Sequence, residues 1–324
     1  MNPTTPSPLG LSVVIPVYNE EESLPLLAEK LGAVLDRLPF AAEVIFVDDG
    51  STDGSFAVIE SLHQQDPRIR AVGFRRNQRK AAALAAGFRE ARGGFILTMD
   101  ADLQDDPEEI PKLLAALEER GWDLVSGWKK KRHDPLSKTL PSRFFNRITS
   151  LVSGIRLHDF NCGLKLYRRE VAEDCLPYLY GELYRFLPAM AHWAGYRVGE
   201  LPVQHHARRF GKSKFGAKRL LNGFFDLLTI TFVIRFMTMP MHIFGSLGLV
   251  ATLAGGGICS YITYLRFIHG NIQNHHPLLM LGMLLVIVGI QFFSTGLLGD
   301  MLASLHQRQS RTVRLSRRIG ETPA

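Results

Sequence analysis

Residues 95–104 read Phe-Ile-Leu-Thr-Met-Asp-Ala-Asp-Leu-Gln, an apolar run that stops on one aspartate and meets a second one residue later. The run Phe95–Met99 predicts a buried strand. Asp100, Asp102 and Gln104 then lead into a loop, and Asp105, Asp106, Glu108 and Glu109 follow at once. Two carboxylates one residue apart at a strand end, with an amide oxygen close by, suit a hard divalent cation such as Mg²⁺ or Mn²⁺, which takes oxygen ligands. Asp105, Asp106 and Glu108 have a simpler use. They precede a helix predicted over Glu108–Arg120, where acidic side chains cap free N–H groups and complement the dipole.

Upstream the same alternation repeats. Leu11–Pro16, Glu43–Val47 and Arg70–Phe74 read as strands, and Asp123–Ser126 begins another; Glu20–Leu38, Ser55–Gln64 and Arg79–Ala91 have helical spacing. Strands alternating with helices of this length predict an α/β fold with a doubly wound, mostly parallel sheet. Such a sheet binds ligands beyond the carboxyl ends of its strands. The first strand runs into Pro16-Val17-Tyr18-Asn19-Glu20 and the second into Asp48-Asp49-Gly50-Ser51-Thr52-Asp53-Gly54. Pro16 ends a strand, Tyr18 can stack on a base, and Glu20 can reach a ribose or base. Asp48 and Asp49 can accept from a base N–H or a ribose hydroxyl, while the glycines let backbone approach closely. An Asx-capped turn would use the same acids. The loop lacks the spacing of a P-loop and of GxGxxG.

Composition divides the chain. Over 324 residues, 46% are hydrophobic and 21% charged, which excludes a disordered chain. No charged residue falls between Arg235 and Arg266, nor between Arg266 and Asp300. Met241–Leu265 and Pro277–Gly299 are therefore predicted membrane spans, each exceeding the ~20 residues a crossing needs. Arg308, Arg311, Arg314, Arg317 and Arg318 follow the second span, and the linker His269–His276 has no Lys or Arg. The positive-inside rule then puts both termini in the cytosol. Met1–Gly10 has neither a basic residue nor a long apolar run, so no signal peptide is expected. Cys162, Cys175 and Cys259 show no paired spacing and suit a reducing compartment.

The net charge of +7 is concentrated. Residues 129–147 hold seven Lys or Arg against Asp134 alone, and residues 204–219 hold six against no acid. Two basic patches on a chain with apolar spans point to an anionic membrane surface or a phosphate-bearing ligand rather than to nucleic acid. The segments Leu140–Ile155 and Lys218–Phe236 each carry an apolar helical stripe beside basic residues, as a helix lying in the membrane interface would. Packing against the sheet would use the same stripe.

Jointly and in this order, Pro16–Glu20, Asp48–Asp53 and Asp100–Gln104 resemble the family-2 glycosyltransferases of the GT-A fold. The forms VIPVYNEE, VDDGSTD and MDADLQDDPEEI are similar to those of bactoprenol (undecaprenyl-phosphate) glucosyltransferases and dolichol-phosphate mannose synthases. The resemblance covers about residues 10–235. It implies that Asp100, Asp102 and Gln104 hold a Mg²⁺ or Mn²⁺ that bridges the donor diphosphate, and that Pro16, Tyr18, Glu20, Asp48 and Asp49 cradle the nucleotide. It implies that Lys129, Lys138, Ser142 and Arg143 bind the acceptor phosphate, and that Asp159, in His158-Asp159-Phe160-Asn161-Cys162-Gly163, faces the sugar as a catalytic residue beside Asp102. Arg208, Gly211, Ser213 and Lys214 match an RxxGxSK loop that closes over the donor. Two departures bear on sugar and base specificity: Gln78-Arg79-Lys80 lacks a glycine often found after Asn77, and Cys162-Gly163-Leu164-Lys165 stands where Ser-Gly-Phe-Arg is commoner.

The expected organisation is a cytosolic GT-A domain over 1–210, interfacial helices over 211–238, two transmembrane helices over 239–307 and a basic tail over 308–324. The expected partners are a nucleotide sugar, a polyprenyl phosphate, the lipid bilayer and further copies of the chain; no nucleic acid is expected. The expected activity is inverting, metal-dependent transfer of a hexose from a UDP-glucose-like or GDP-mannose donor to a polyprenyl phosphate at the cytoplasmic membrane. The rivals are a catalytically inactive scaffold that binds nucleotide sugar, a transferase with another lipid acceptor, and a processive polysaccharide synthase. The last would need more spans and a QxxRW helix, neither of which the sequence contains. Trp128 is expected to pack, and His205 and His206 to be solvated loop residues.

Overall fold

A computed structural model of the chain describes residues 9–130, 146–206, 240–270 and 275–309. The chain divides into two compact units, Met1–Ile230 and Thr231–Ala324.

The first unit is built on seven strands. β1 (Leu9–Val17), β2 (Ala41–Asp48), β3 (Ile69–Gly73), β4 (Phe95–Thr98) and β5 (Leu124–Lys129) are followed by β6 (Lys165–Arg168) and β7 (Val198–Val203). They lie in the order β3-β2-β1-β4-β6-β5-β7. β1 pairs in parallel with β2 and β4, β2 with β3, and β5 with β7; β6 alone is antiparallel, between β4 and β5. This is a GT-A-like, mostly parallel sheet, as the alternation predicts. The central strands are mostly apolar because helices cover both faces; the buried Ser12 of β1 donates to the buried Glu43 of β2 at 2.7 Å. Val13, Val14 and Ile15 of β1 have no exposed surface.

α1 (Leu24–Leu35), α2 (Ser55–Gln65), α3 (Lys80–Glu90) and α4 (Ile110–Glu119) flank the sheet. The alanine-rich sequence of α3 allows close approach: a Cβ added at Gly87 would run into the Val14 side chain. Residues 146–153 form α5, and α6 (Arg169–Cys175) and α7 (Leu187–Trp193) close the far side. α5 buries its polar residues Asn146, Thr149 and Ser153 and leaves Leu151 84% exposed. Asn146 Nδ2 donates to the His158 carbonyl at 2.7 Å, so α5 supports the loop that carries Asp159. The stripe predicted over Leu140–Ile155 is thus turned outward at Leu151; its first half, and the whole of Lys218–Phe236, lie outside the described residues.

The ends of the parallel strands share one edge of the sheet. Val17 is in register with Asp48, Asp48 with Gly73, and Val14 with Thr98. Tyr18, Asp49 and Asp100 therefore emerge from neighbouring strands at one edge. β5 and β7 run the same way, so Lys129 and His205 reach that edge too. β6 runs back from it, so residues 159–163, just before Lys165, lie there as well.

In the second unit, α8 (Pro240–His269) and α9 (His276–Gln309) form a helical hairpin. Met241–Ile268 and His276–Met301 are long and apolar enough to cross a membrane, with mean hydropathies of 1.6 and 2.2. Glycines set their contact. A Cβ on Gly248 would lie 2.6 Å from the Gly289 carbonyl oxygen, and one on Gly255 2.5 Å from that of Gly282. Small residues at helix crossings of this kind let backbones touch where lipid gives no hydrophobic drive to associate.

Candidate active site

Three loops at the sheet edge are tied to one another by their own side chains. After β1, Asn19 donates its backbone N–H to Ser51 Oγ at 2.9 Å and accepts from the Thr52 N–H at 2.8 Å. Glu20 donates its N–H to Ser55 Oγ at 2.9 Å, and Ser23 Oγ donates to Glu20 Oε2 at 3.3 Å. After β2, Asp48 accepts from the Ser51 N–H at 3.2 Å, while Asp49 Oδ1 accepts from the Gln78 N–H at 2.6 Å. Burial, chiefly, raises the Asp49 carboxyl above its ordinary range, against the pull of the Gln78 and Arg79 N–H groups. Asp48 and Asp49 thus shape the floor between the first, second and third parallel strands. Pro16 and Tyr18 are half-buried at the mouth.

Among the described residues, three non-glycines adopt positive φ: Asn19 at 54°, Arg79 at 73° and Leu103 at 60°. Each sits in a loop at this edge, before α1, α3 and α4 respectively. Residues held in sparsely populated backbone regions concentrate where function over-determines the chain. Arg79, with ψ at 163°, occupies a region that is almost glycine-only, at the place where the sequence lacks the expected glycine.

The acidic loop after β4 lies at the centre. Asp100 accepts from Lys80 Nζ, the first side chain of α3. Burial opposes the charges of both groups. The pair outweighs it: Asp100 is held below the usual carboxylate range, mainly by Lys80 and then Lys129, and Lys80 is raised to about 12. Gly163 packs against Asp100: an added Cβ there would lie 2.5 Å from Asp100 Oδ2. Asp102 is 8% exposed and accepts the Gln104 N–H at 3.2 Å. A small recess here is lined by Lys80, Asp100, Gly163, Lys165 and Tyr184, among others.

Lys129 and Asp105 form a second ion pair, at 3.0 Å, with Asp105 only 2% exposed. Burial works against Lys129, but Asp105, Cys162 and Asp100 hold its pKa above the ordinary lysine range. Asp105 is therefore a buried counter-ion and not the helix cap expected of it. Asp106 is the cap, accepting from the Glu108 N–H at 3.1 Å, and Glu108 instead pairs with Arg37 at 2.6 Å. A third lysine, Lys165, is buried and donates to the Cys162 carbonyl. Burial pushes it down to about 8, with Lys80 adding to the effect against Cys162, Asp159 and Asp100. Burial likewise raises the Cys162 thiol to about 12, so it is no nucleophile.

Asp159 is 1% exposed, and its Oδ1 accepts the Asn161 N–H at 3.0 Å. Its loop hangs from Glu200 of β7, whose carboxylate accepts the N–H groups of both His158, at 2.9 Å, and Asp159, at 2.8 Å. The His158 ring stacks on Trp128 with centroids 4.1 Å apart, so Trp128 packs as expected. His205 and His206 are not simply solvated. His205 Nδ1 lies 3.1 Å from the Gln104 carbonyl oxygen, and His206 Nε2 lies 2.9 Å from Asp106 Oδ2. They clasp the acidic loop from the end of β7.

The structure thus brings Pro16, Tyr18, Glu20, Asp48, Asp49, Asp100, Asp102, Gln104, Lys129 and Asp159 to one edge. Lys138, Ser142, Arg143, Arg208, Ser213 and Lys214 lie outside the described residues. Lys80, Lys165, Tyr184 and Glu200 also lie at this edge; Lys80 and Lys165 fall in the two departures noted in the sequence, and Tyr184 and Glu200 lie in no motif.

Residues 12–176 match the Glycosyl transferase family 2 domain. The chain is 39% identical over 306 residues to the dodecaprenyl-phosphate galacturonate synthase of Rhizobium johnstonii, covering 93% of this chain and 89% of that protein. It is 36% identical over 298 residues to the undecaprenyl-phosphate 4-deoxy-4-formamido-L-arabinose transferase of Photorhabdus laumondii, covering 91% of this chain and 89% of that one. In fold, it is similar to the crystal structure of glucosyl-3-phosphoglycerate synthase from Mycobacterium tuberculosis, with a TM-score of 0.50, 20% identity, and coverage of 68% of this chain and 79% of that one. A lattice of acids and lysines at the carboxyl edge of a GT-A-like sheet, in a chain so matched, leads to one assignment: this protein is a glycosyltransferase and belongs to Glycosyl transferase family 2.

Proposed function

We propose that the chain transfers a sugar from a nucleoside-diphosphate sugar to the phosphate of a polyprenyl phosphate, with inversion at the anomeric carbon. The observation that carries this reading is the convergence of the Asp100–Gln104 loop, the Asp159 loop and three lysines at one sheet edge, in a chain that matches polyprenyl-phosphate sugar synthases and transferases along nine-tenths of its length. The donor is a UDP-glucose-like or GDP-mannose nucleotide sugar, bound over Pro16, Tyr18, Glu20, Asp48 and Asp49.

The acidic loop suits a divalent cation. Asp100 already has a cationic partner in Lys80, the kind of charge such an ion would replace, and Asp102 stands two residues on. Among the described residues no group of three His, Cys, Asp or Glu converges, so the Gln104 amide, the donor and water would complete the shell. When bound, Mg²⁺ or Mn²⁺ supplies Lewis acidity toward the departing diphosphate.

The protein's own residues do the rest. A lipid phosphate is ionised near neutral pH, so it attacks without a strong general base. Lys129, Lys138, Ser142 and Arg143 hold it. Asp159, fixed by Glu200, orients the sugar and steadies positive charge on its anomeric carbon. The bond from that carbon to the donor phosphate breaks as the bond to the lipid phosphate forms on the opposite face. An α-linked donor then gives a β-linked product. Arg208, Ser213 and Lys214 close over the donor. Positioning and fixed charge of this kind account for most of the rate in phosphate-linked transfer. The two apolar helices cross the cytoplasmic membrane, with catalytic domain and termini in the cytosol.

The test is a panel of radiolabelled UDP- and GDP-sugars offered to the full-length protein with undecaprenyl phosphate and Mn²⁺. The proposal expects label in an organic-extractable lipid with at least one donor. Label in a water-soluble polymer, or no transfer with nucleotide sugar bound, refutes it.

A further inference from the structure

Lys80 is placed where a simple reading of the site would want nothing cationic. Its ammonium bonds Asp100 directly and lies 5.2 Å from the centre of the Tyr184 ring. Asp100 is also packed against Gly163, where an added Cβ would lie 2.5 Å from its Oδ2 and 2.9 Å from its Oδ1. A divalent cation arriving at Asp100 therefore meets a like charge already in place, and two cations within bonding distance of one carboxylate repel strongly. Lys80 has room to yield: its side chain is 28% exposed on a flexible four-carbon stem. The other carboxylate whose charge reaches it, Asp105, is already paired with Lys129 at 3.0 Å.

A nucleoside diphosphate supplies a further anion. The segment that carries Lys80 is already joined to the loop proposed to cradle the nucleotide. Gln78, two residues before Lys80, donates its N–H to Asp49 at 2.6 Å, and the strained Arg79 sets the angle at which α3 begins. A Cβ on Gly50 would lie 2.5 Å from the Arg76 carbonyl carbon, so the two loops are in backbone contact. Lys129 and Lys165 also act on Asp100 by their charge, but each has its own bonded partner, Asp105 for the first and the Cys162 carbonyl for the second.

The geometry points to Lys80 as an exchangeable counter-ion: it neutralises Asp100 in the free protein and passes to the donor diphosphate as the divalent cation takes Asp100. This rests on the metal role proposed above. Lys80 is a positioning residue here, and its effect is to couple nucleotide and metal. Each ligand clears the obstacle to the other, and by linkage the two enhancements are equal.

The test is Mn²⁺ titration of the full-length protein in detergent, reading free Mn²⁺ by its paramagnetic resonance, with no nucleotide, with UDP and with GDP. For the wild type, one nucleotide should tighten Mn²⁺ binding by about tenfold or more. Lys80→Met should bind Mn²⁺ about tenfold tighter than wild type without nucleotide, and the nucleotide should then add little. Lys80→Arg, whose fork grips a carboxylate more firmly, should bind Mn²⁺ alone more weakly than wild type. Asp102→Asn should lose Mn²⁺ in every condition. If Lys80→Met matches the wild type while Asp102→Asn loses the metal, the counter-ion role is overturned and the metal role stands. If neither wild type nor any variant binds Mn²⁺, the metal role fails and this inference with it. Should Lys80→Met not fold, Lys80→Arg decides, and unchanged or tighter Mn²⁺ binding there overturns the proposal.

Discussion

Gly163→Ala adds one methyl group, and the structure says where it goes. The new Cβ would lie 2.5 Å from Asp100 Oδ2, 2.7 Å from its Cγ and 2.9 Å from Oδ1, against 3.4 Å for ordinary contact. The shortfall is about 0.9 Å at the nearest atom, the difference of those two distances. Asp100 must give way, since the glycine follows a buried loop and precedes β6, whose ladder with β4 fixes Thr98 opposite Lys165. Swinging the carboxylate drags it off Lys80 and off the position proposed for the metal. A misplacement of about 1 Å in a catalytic array costs about 100-fold in rate. Stability should respond differently. Gly163 is not at positive φ, so alanine is conformationally allowed, and the loss of chain entropy in the unfolded state offsets part of the crowding, by about 0.4–1 kcal/mol. The assay is kcat for sugar transfer to undecaprenyl phosphate beside a thermal melt of the same sample. The expected result is a drop of about two orders of magnitude with a melting temperature near that of the wild type. A variant with full activity would show that Asp100 does not need its observed position, and the site as described would be wrong.

Three further outcomes follow from named contacts. The folded pKa of Lys80, about 12, lies above its ordinary 10.5, so its contribution to stability is complete below 10.5 and is lost as pH rises through 12; that of Asp100 lies below its ordinary 3.8, so its contribution is complete above 3.8 and is lost only at lower pH. The melting-temperature difference between wild type and Lys80→Met should therefore shrink as pH rises above about 10, and a difference that stays unchanged through pH 12 would contradict the pairing. Arg79→Gly should relieve backbone strain at φ 73° and stabilise the protein by about 1 kcal/mol, a rise of about 2–4 °C in melting temperature; a lower melting temperature would show that the arginine side chain holds the loop. Glu200→Gln keeps the shape but weakens the acceptor for the His158 and Asp159 N–H groups, so kcat should fall about tenfold with donor KM little changed; unchanged kcat would detach Glu200 from Asp159.

Much of the fold could be read from residues alone, for a physical reason. β1, β2 and β4 are covered on both faces, so each is mostly apolar, its buried polar groups Ser12 and Glu43 being bonded to one another at 2.7 Å, and the motifs follow at the carboxyl edge. β6 escaped that reading. Lys165-Leu166-Tyr167-Arg168 is four residues long with a charge at each end, and it becomes a strand only because β4 and β5 leave a slot for it. β7 mixes Gly199, Glu200 and Pro202 into its six residues and looks like a loop in isolation. The functional residues divide the same way. Asp100 and Asp102 stand out by local pattern and Asp159 by the family resemblance, whereas Lys80 and Glu200 contact them from 20 and 41 residues away along the chain, and no spacing reveals such contacts. The roles of Asp105 and Asp106 differ for a similar reason: side by side in sequence, they are separated by a lysine that arrives from β5.

The central claim is that a sugar passes from a nucleotide to a polyprenyl phosphate over the Asp100–Asp102 loop. The most direct measurement is a single-turnover transfer with the full-length protein, labelled donor and undecaprenyl phosphate, comparing wild type and Asp102→Asn with EDTA present or with Mn²⁺ restored. The account predicts lipid-linked sugar formed in step with released nucleoside diphosphate, by the wild type only and only with the cation. Equal transfer by Asp102→Asn, or undiminished transfer in EDTA, would contradict it.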